Sequence, residues 1–204
     1  MEQERRYFNL EHIEIRQGDI GELPTITGYA AVFNALSDNL GGFREKINPG
    51  AFTRSIETSD IRALFDHDSK YVLGRNRAGT LALAEDERGL RVEITPPATT
   101  WADDLMTTMR RGDINQMSFG FYTRADEWDK QADPPIRTLK DVELFDVSIV
   151  TYPAYPQTSA EARSIVASLS EAGDDATEPT ADGANAEARL AARKRQIELM
   201  RLKT

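Results

Sequence analysis

The chain has 204 residues, no cysteine, two histidines and a net charge of −9, which suits one compact domain with a tail. The missing thiols exclude disulfide scaffolds, cysteine nucleophiles and thiolate zinc sites. The net negative charge argues against binding to a nucleic-acid duplex. No apolar run reaches about 18 residues, so no segment is expected to span a membrane. The first residues are charged, which argues against a signal peptide. We therefore expect a cytoplasmic protein without nucleic-acid, membrane or metal partners.

The first half of the chain is predicted to form short strands. Apolar runs at 28–33 and 61–66 follow turn-rich segments and have strand composition. A hairpin comes next, because apolar residues alternate in 81–83 and again in 90–94, with turn residues at 86–89 between them.

A change of period marks a helix after this hairpin. Trp101, Leu105 and Met109 recur every four residues and so lie on one helical face. Gly112 follows two arginines and suits the end of a helix. We predict a helix over 100–111.

The segment INQMSFGFY alternates as a strand directly after that helix. Met117, Phe119 and Phe121 are expected to face the core. Ser118 and Gly120 then share the opposite face, where a missing glycine side chain allows close approach of a ligand.

The polar, proline-terminated segment 124–135 is predicted to be an exposed loop. A long strand-forming stretch then begins at Ile136 and stops at Pro153. Asp146 and Ser148 are two residues apart in it and lie on the same face of a regular strand.

The C-terminal part has a different composition. Thr158 and Glu161 have capping-box spacing for a helix that runs to about Ala172. The segment 171–187 holds six carboxylates and no Lys or Arg, and its lack of large apolar residues predicts a disordered acidic linker. The final segment, 188–204, is predicted to be a basic amphipathic helix that docks on a partner.

Two side chains are candidates for chemistry. His67 lies between Asp66 and Asp68, where one ring nitrogen can be oriented by a hydrogen bond and the other can act as a general base. Ser118 lies among aromatic and sulfur side chains but needs a base to become a nucleophile. Local sequence alone favours a structural interpretation of both residues, a surface-loop histidine and a small residue on a partly buried strand face, and His12 is expected on a strand surface.

Four blocks of the sequence together carry a family resemblance. They are GYAAVFNALSDNLGGFREKINPGAF, LFDHDSKYVLGR, MSFGF and ELFDVSIVTYPAYP, in that order. Over roughly residues 8–165 the chain resembles the prohead (head maturation) serine proteases of tailed bacteriophages. The resemblance implies an α+β, β-rich fold: a single barrel-like β domain over 1–170 with a few surrounding helices, similar to the herpesvirus assemblin proteases, followed by the disordered linker and the C-terminal helix.

The resemblance also implies roles for particular residues. Ser118 in MSFGF matches the family nucleophile, and His67 in FDHD matches the family histidine. Asp146 takes the acidic position before Val-Ser in the last block. The residues themselves leave three competing carboxylates: Glu143, Asp66 and Asp68. Of these, Glu143 has an odd offset from Asp146 and falls on the other face of a regular strand.

The function implied is that of a serine endopeptidase of capsid maturation, without a cofactor. It would act inside the immature capsid, or prohead, in the host cytoplasm, as a homo-oligomer. Its expected substrates are the scaffold protein or the scaffolding segment of the major capsid protein, and the protease itself. The alternatives are a non-catalytic assembly or scaffolding protein with the same fold, and an esterase, which the absence of a G-x-S-x-G elbow disfavours.

Overall fold

A computed structural model describes residues 3–9, 14–16 and 23–152. The strands within these ranges are β1 (Gln3–Asn9), β2 (Glu14–Arg16), β3 (Thr25–Val32), β4 (Arg44–Ile47), β5 (Arg62–Phe65), β6 (Asp68–Arg75), β7 (Leu81–Glu85), β8 (Gly89–Ile94), β9 (Gln116–Asp129) and β10 (Ile136–Val150). The helices are α1 (Thr53–Thr58) and α2 (Thr100–Arg111), with a 3₁₀ turn at Asn76–Ala78.

The strands form two sheets. The first has the order β1-β9-β10-β5-β6, and β4 also pairs with β10. Along one edge β10 is antiparallel to β9, and along the other it is parallel to β4 in its first half and to β5 in its second half. The second sheet has the antiparallel order β2-β3-β8-β7.

One cluster of buried apolar side chains joins the two sheets. Ile26 and Val92 enter it from the second sheet, Phe119 and Leu144 from the first, and Met106 from α2. Each large side chain buried in this way stabilises the fold by about 1.5–3 kcal/mol. The result is a β-rich fold with few helices, in which a sheet curls into half a barrel, so the predicted fold class is confirmed in these respects.

Periodicity located several elements correctly. The predicted hairpin is β7 and β8, and the predicted helix is α2, with Leu105 and Met109 buried against the core. Gly112 ends α2 with φ +84°, a conformation that glycine adopts without strain, and its N–H donates to the Met109 carbonyl.

The predicted loop at 124–135 is wrong over its first half. Residues 124–129 continue β9, and their antiparallel pairing with β10 reaches from Asp129 to Ile136. The polar composition reflects exposure of this end of the strand to solvent, because pairing with β10 satisfies the backbone whatever the side chains are. Only residues 130–135 connect the two strands.

A buried cluster of charged side chains ties β1 to the rest of the first sheet. Arg137 on β10 contacts Glu4 at 2.6 Å, Glu45 at 3.2 Å and Asp126 at 2.6 Å. Arg6 contacts Glu45 at 2.7 Å and Glu4 at 2.6 Å. Burial alone would raise the pKa of Glu4, but the hydrogen bond and charge of Arg137 and the charge of Arg6 outweigh it and lower that pKa.

Four predictions lie outside the described residues. They concern His12, the helix opened by Thr158 and Glu161, the linker 171–187 and the helix 188–204. Within the described ranges, neither helix has the length and apolar character needed to cross a membrane.

Candidate active site

Ser118 lies on β9 with its neighbours arranged as predicted. Met117, Phe119 and Phe121 are fully buried in the core. Ser118 lies on the other face of the strand and is only 1% exposed, so this second face is covered as well.

The register of β9 against β10 places four positions together on that second face. Ser118 is opposite Ser148, and Gly120 is opposite Asp146. Directly opposed residues on antiparallel strands have Cβ atoms about 4.5–5.5 Å apart. An irregularity in pairing between Leu144 and Asp146 locally bends β10.

His67 reaches this face from the tight turn between β5 and β6. Phe65 pairs with Asp68, so Asp66 and His67 are the two central residues of the turn. Both have positive φ, +50° and +56°, as the two central residues of a type I′ hairpin require. Asp and His are among the non-glycine residues that most often adopt this conformation.

The side chain and backbone of Asp66 fix this turn to the end of β10. The Asp66 N–H donates to the Ile149 carbonyl at 2.8 Å. Its carboxylate accepts from the Thr151 N–H at 2.7 Å and from the Thr151 hydroxyl at 3.0 Å. The position of His67 is therefore set by the same strand that carries Asp146.

Ser118, His67 and Asp146 form one hydrogen-bonded line. The Ser118 Oγ lies 2.7 Å from His67 Nε2, and His67 Nδ1 lies 2.6 Å from Asp146 Oδ1. The side chains of His67 and Asp146 are 9% and 5% exposed. With the imidazole proton on Nδ1, the ring donates to the carboxylate and accepts the serine proton at Nε2. Serine hydrolases activate a hydroxyl by this arrangement.

Gly120 makes room for the Asp146 carboxylate. A Cβ at position 120 would lie 2.5 Å from Asp146 Oδ2 and 2.6 Å from the Phe145 ring. Both contacts are shorter than those that real Cβ atoms make, so a larger residue here must displace both the Asp146 carboxylate and the Phe145 ring or shift the backbone. The predicted approach of a ligand to this glycine is therefore wrong, because the Asp146 carboxylate and the Phe145 ring of the protein itself fill the space.

The three competing carboxylates have other partners. Glu143 forms an ion pair with Arg124 at a half-exposed position. Asp68 accepts the Lys70 N–H at 2.9 Å, and Asp66 binds Thr151 as described. In the described part of the chain, no group of three or more histidine or acidic side chains is placed to hold a metal ion.

Sequence reasoning missed the contributions of Asp66 and Ser148 to this site. The partner of Asp66 is 85 residues away in the chain, so no local pattern indicates it. For Ser148 the sequence did contain one indication. It is two residues from Asp146 in a strand, which places the two side chains on the same face.

Comparison with known proteins identifies the family. Residues 11–171 match the family model described as "Caudovirus prohead serine protease". The chain is also 30% identical over 161 residues to the prohead protease of Enterobacteria phage HK97, covering 76% of this chain and 67% of that protein. No solved structure matched the chain, so the likeness to assemblin proteases stays a prediction.

The chain belongs to the caudovirus prohead serine protease family, and it is a serine protease. Family membership thus favours the enzyme over the two alternatives, a non-catalytic scaffold and an esterase.

Proposed function

We propose that Ser118 is the nucleophile of this protease, His67 its general base and Asp146 the acid that orients the imidazole. The observation that carries the proposal is the line of two hydrogen bonds, 2.7 Å and 2.6 Å long, through the His67 ring. Asp146 holds the tautomer that leaves Nε2 free to accept a proton. Glu143, the alternative acid, is engaged with Arg124.

Acylation follows from this geometry. Ser118 Oγ forms a bond to the substrate carbonyl carbon while its proton moves to His67 Nε2. The resulting imidazolium is stabilised by the Asp146 carboxylate. His67 then protonates the leaving amine as the C–N bond breaks, and an acyl-enzyme on Ser118 remains.

Deacylation repeats the same steps with water. His67 takes a proton from the attacking water and returns it to Ser118 Oγ, which releases the new carboxylate. General-base assistance of this kind accelerates a reaction by about 10²–10⁴-fold. The low exposure of all three side chains strengthens the electrostatic contribution, because few water molecules screen it.

The substrates we propose are the scaffold protein or the scaffolding segment of the major capsid protein, together with the protease itself. The support is the family description and the name of the HK97 relative, a prohead protease. The enzyme would act inside the immature capsid in the host cytoplasm, as a homo-oligomer. We assign the barrel-like catalytic domain to 1–170, the linker to 171–187 and a docking helix to 188–204.

Co-expression with the capsid protein of the same phage tests this function. Mass spectrometry of the products should find cleaved capsid protein with the wild-type chain and none with Ser118→Ala. Ser55→Ala is the matched control, because Ser55 is a buried serine whose hydroxyl bonds the β10 backbone at Val142 and Leu144 and not His67 or Asp146. Identical cleavage by Ser118→Ala would contradict the proposal.

A further inference from the structure

Asp146 accepts a second hydrogen bond, from a residue other than Ser118 and His67. The Ser148 hydroxyl donates to Asp146 Oδ1 at 2.8 Å. This is the same oxygen that lies 2.6 Å from His67 Nδ1. Ser148 and Asp146 are both buried, so water does not replace this donor.

The hydroxyl of Ser148 is committed to the carboxylate. Ser148 lies directly opposite Ser118 in the β9–β10 pairing, so two serines flank the same site. A hydroxyl has one proton to donate, and that of Ser148 goes to Asp146, whereas Ser118 is the serine within hydrogen-bond distance of His67. The two serines therefore have different roles.

We propose that Ser148 is a positioning residue for Asp146, and through it for His67. This inference rests on the proposed roles of Ser118, His67 and Asp146. The terminal torsion of an aspartate is broad, and Gly120 presents no side chain to limit it from the facing strand. The Ser148 hydroxyl fixes the carboxylate so that Oδ1 stays aimed at Nδ1.

Ser148 also acts during proton transfer. Because its hydroxyl bonds Asp146 Oδ1, the carboxylate stays in place to accept the hydrogen bond from Nδ1 when His67 becomes an imidazolium. Nε2 then holds the proton that the leaving amine must receive. We expect this positioning to affect the proton-transfer step and not substrate binding.

The test compares Ser148→Ala with Ser148→Thr, which restores the hydroxyl, and with the control Ser55→Ala. The probe is a fluorophosphonate, whose phosphorus forms a bond to Ser118 Oγ as the P–F bond breaks, fluoride leaves and His67 takes the proton. We expect Ser148→Ala to lower the maximal labelling rate by about 10- to 100-fold, with the half-saturating probe concentration unchanged. Ser148→Thr should recover most of the rate, and Ser55→Ala should keep it.

A spectroscopic readout separates positioning from a merely structural role. The chain has two histidines, so the far-downfield proton NMR signal of His67 Nδ1–H can be assigned with a His12→Gln variant. Ser148→Ala should shift this signal and speed its exchange with water, whereas Ser55→Ala should not. Measured in the Ser118→Ala background, the shift does not depend on any activity.

Three results would overturn the inference. The first is a Ser148→Ala protein that labels at the wild-type rate. The second is a rate loss with an unchanged His67 signal, which would show that Ser148 does not act through the imidazole. The third is an equal rate loss in Ser55→Ala, which would show a general loss of stability. Failure of the proposed function looks different: wild-type and Ser118→Ala proteins would then label alike.

Discussion

Gly120 and Asp146 oppose each other across β9 and β10, and a single added methyl group on the glycine would lie 2.5 Å from the carboxylate Oδ2. The space over Gly120 is thus filled by the acid that bonds His67. The absence of one side chain determines where another can lie.

Gly120→Ala is expected to abolish most activity by displacing that carboxylate. We expect a loss approaching the 10²–10⁴-fold or so that general-base help supplies, measured as the fluorophosphonate labelling rate. Gly112→Ala is the control for the general cost of replacing a glycine. An alanine at position 112 is strained by the φ of +84°, but its Cβ meets nothing within 4 Å and displaces no side chain. Wild-type labelling by Gly120→Ala would show that Asp146 can move without consequence.

Asp146→Asn and Glu143→Gln should separate the two acidic candidates. The amide at position 146 can bond the wrong imidazole tautomer, so we expect the cleavage rate to fall by about 10³–10⁴-fold. Glu143→Gln removes a half-exposed ion pair with Arg124 and should leave the rate near that of wild type. The assignment of Asp146 is wrong if the two variants behave in the opposite way.

Asp66 should be replaceable by asparagine but not by alanine. Asparagine tolerates positive φ and can bond both the N–H and the hydroxyl of Thr151. Alanine loses both bonds and is strained at φ +50°, so Asp66→Ala should unfold at lower temperature and cleave more slowly. Equal losses in both variants would point instead to a need for the charge of Asp66.

Sequence periodicity predicted the elements whose side chains segregate by face. The spacing of Leu105 and Met109 predicted α2. The alternation of Met117, Phe119 and Phe121 predicted the buried face of β9. The same rule failed for 124–129, because alternation is hard to see where both faces of a strand are polar. Pairing of residues 125–129 with β10, a contact that no local window of sequence contains, makes this segment a strand.

The candidate site was predictable in its residues but not in its contacts. The family resemblance pointed to Ser118, His67 and Asp146, while the residues themselves left Glu143, Asp66 and Asp68 as competing acids. The partners of Asp66 and Glu143 are Thr151 and Arg124, which are distant in sequence or on another strand. The pairing register of the strands brings together side chains that are far apart in the chain. No local pattern in a single sequence specifies that register.

Acid should destabilise the fold partly through Glu4. Its pKa is lowered in the folded state from an ordinary value of 4.5, so its stabilising contribution is complete above pH 4.5 and is lost as pH falls through the folded value. In urea unfolding, Glu4→Gln should show a shallower decline of unfolding free energy below pH 4.5 than wild type. The control Glu14→Gln, at an exposed pair with Arg16, should follow the wild-type slope.

The composition of 171–187 leads us to expect proteolysis there. Limited digestion should cut this segment before the described domain, and mature particles should contain chains shortened within it. Deleting the residues after 171 should abolish packaging of the protease into capsids yet retain peptidase activity. Mature heads that contain only full-length chain would count against removal by the protease itself.

The placement of β10 has a consequence for when hydrolysis can start. It is the last strand of the part of the chain that the structure describes, it pairs with β4, β5 and β9, and it carries both Asp146 and Ser148. On a ribosome, His67 and Ser118 emerge before their carboxylate exists, and pairings between distant segments form slowly. On the proposed roles, the three side chains cannot come together until β10 has been synthesised and paired, so peptide cleavage starts only after that.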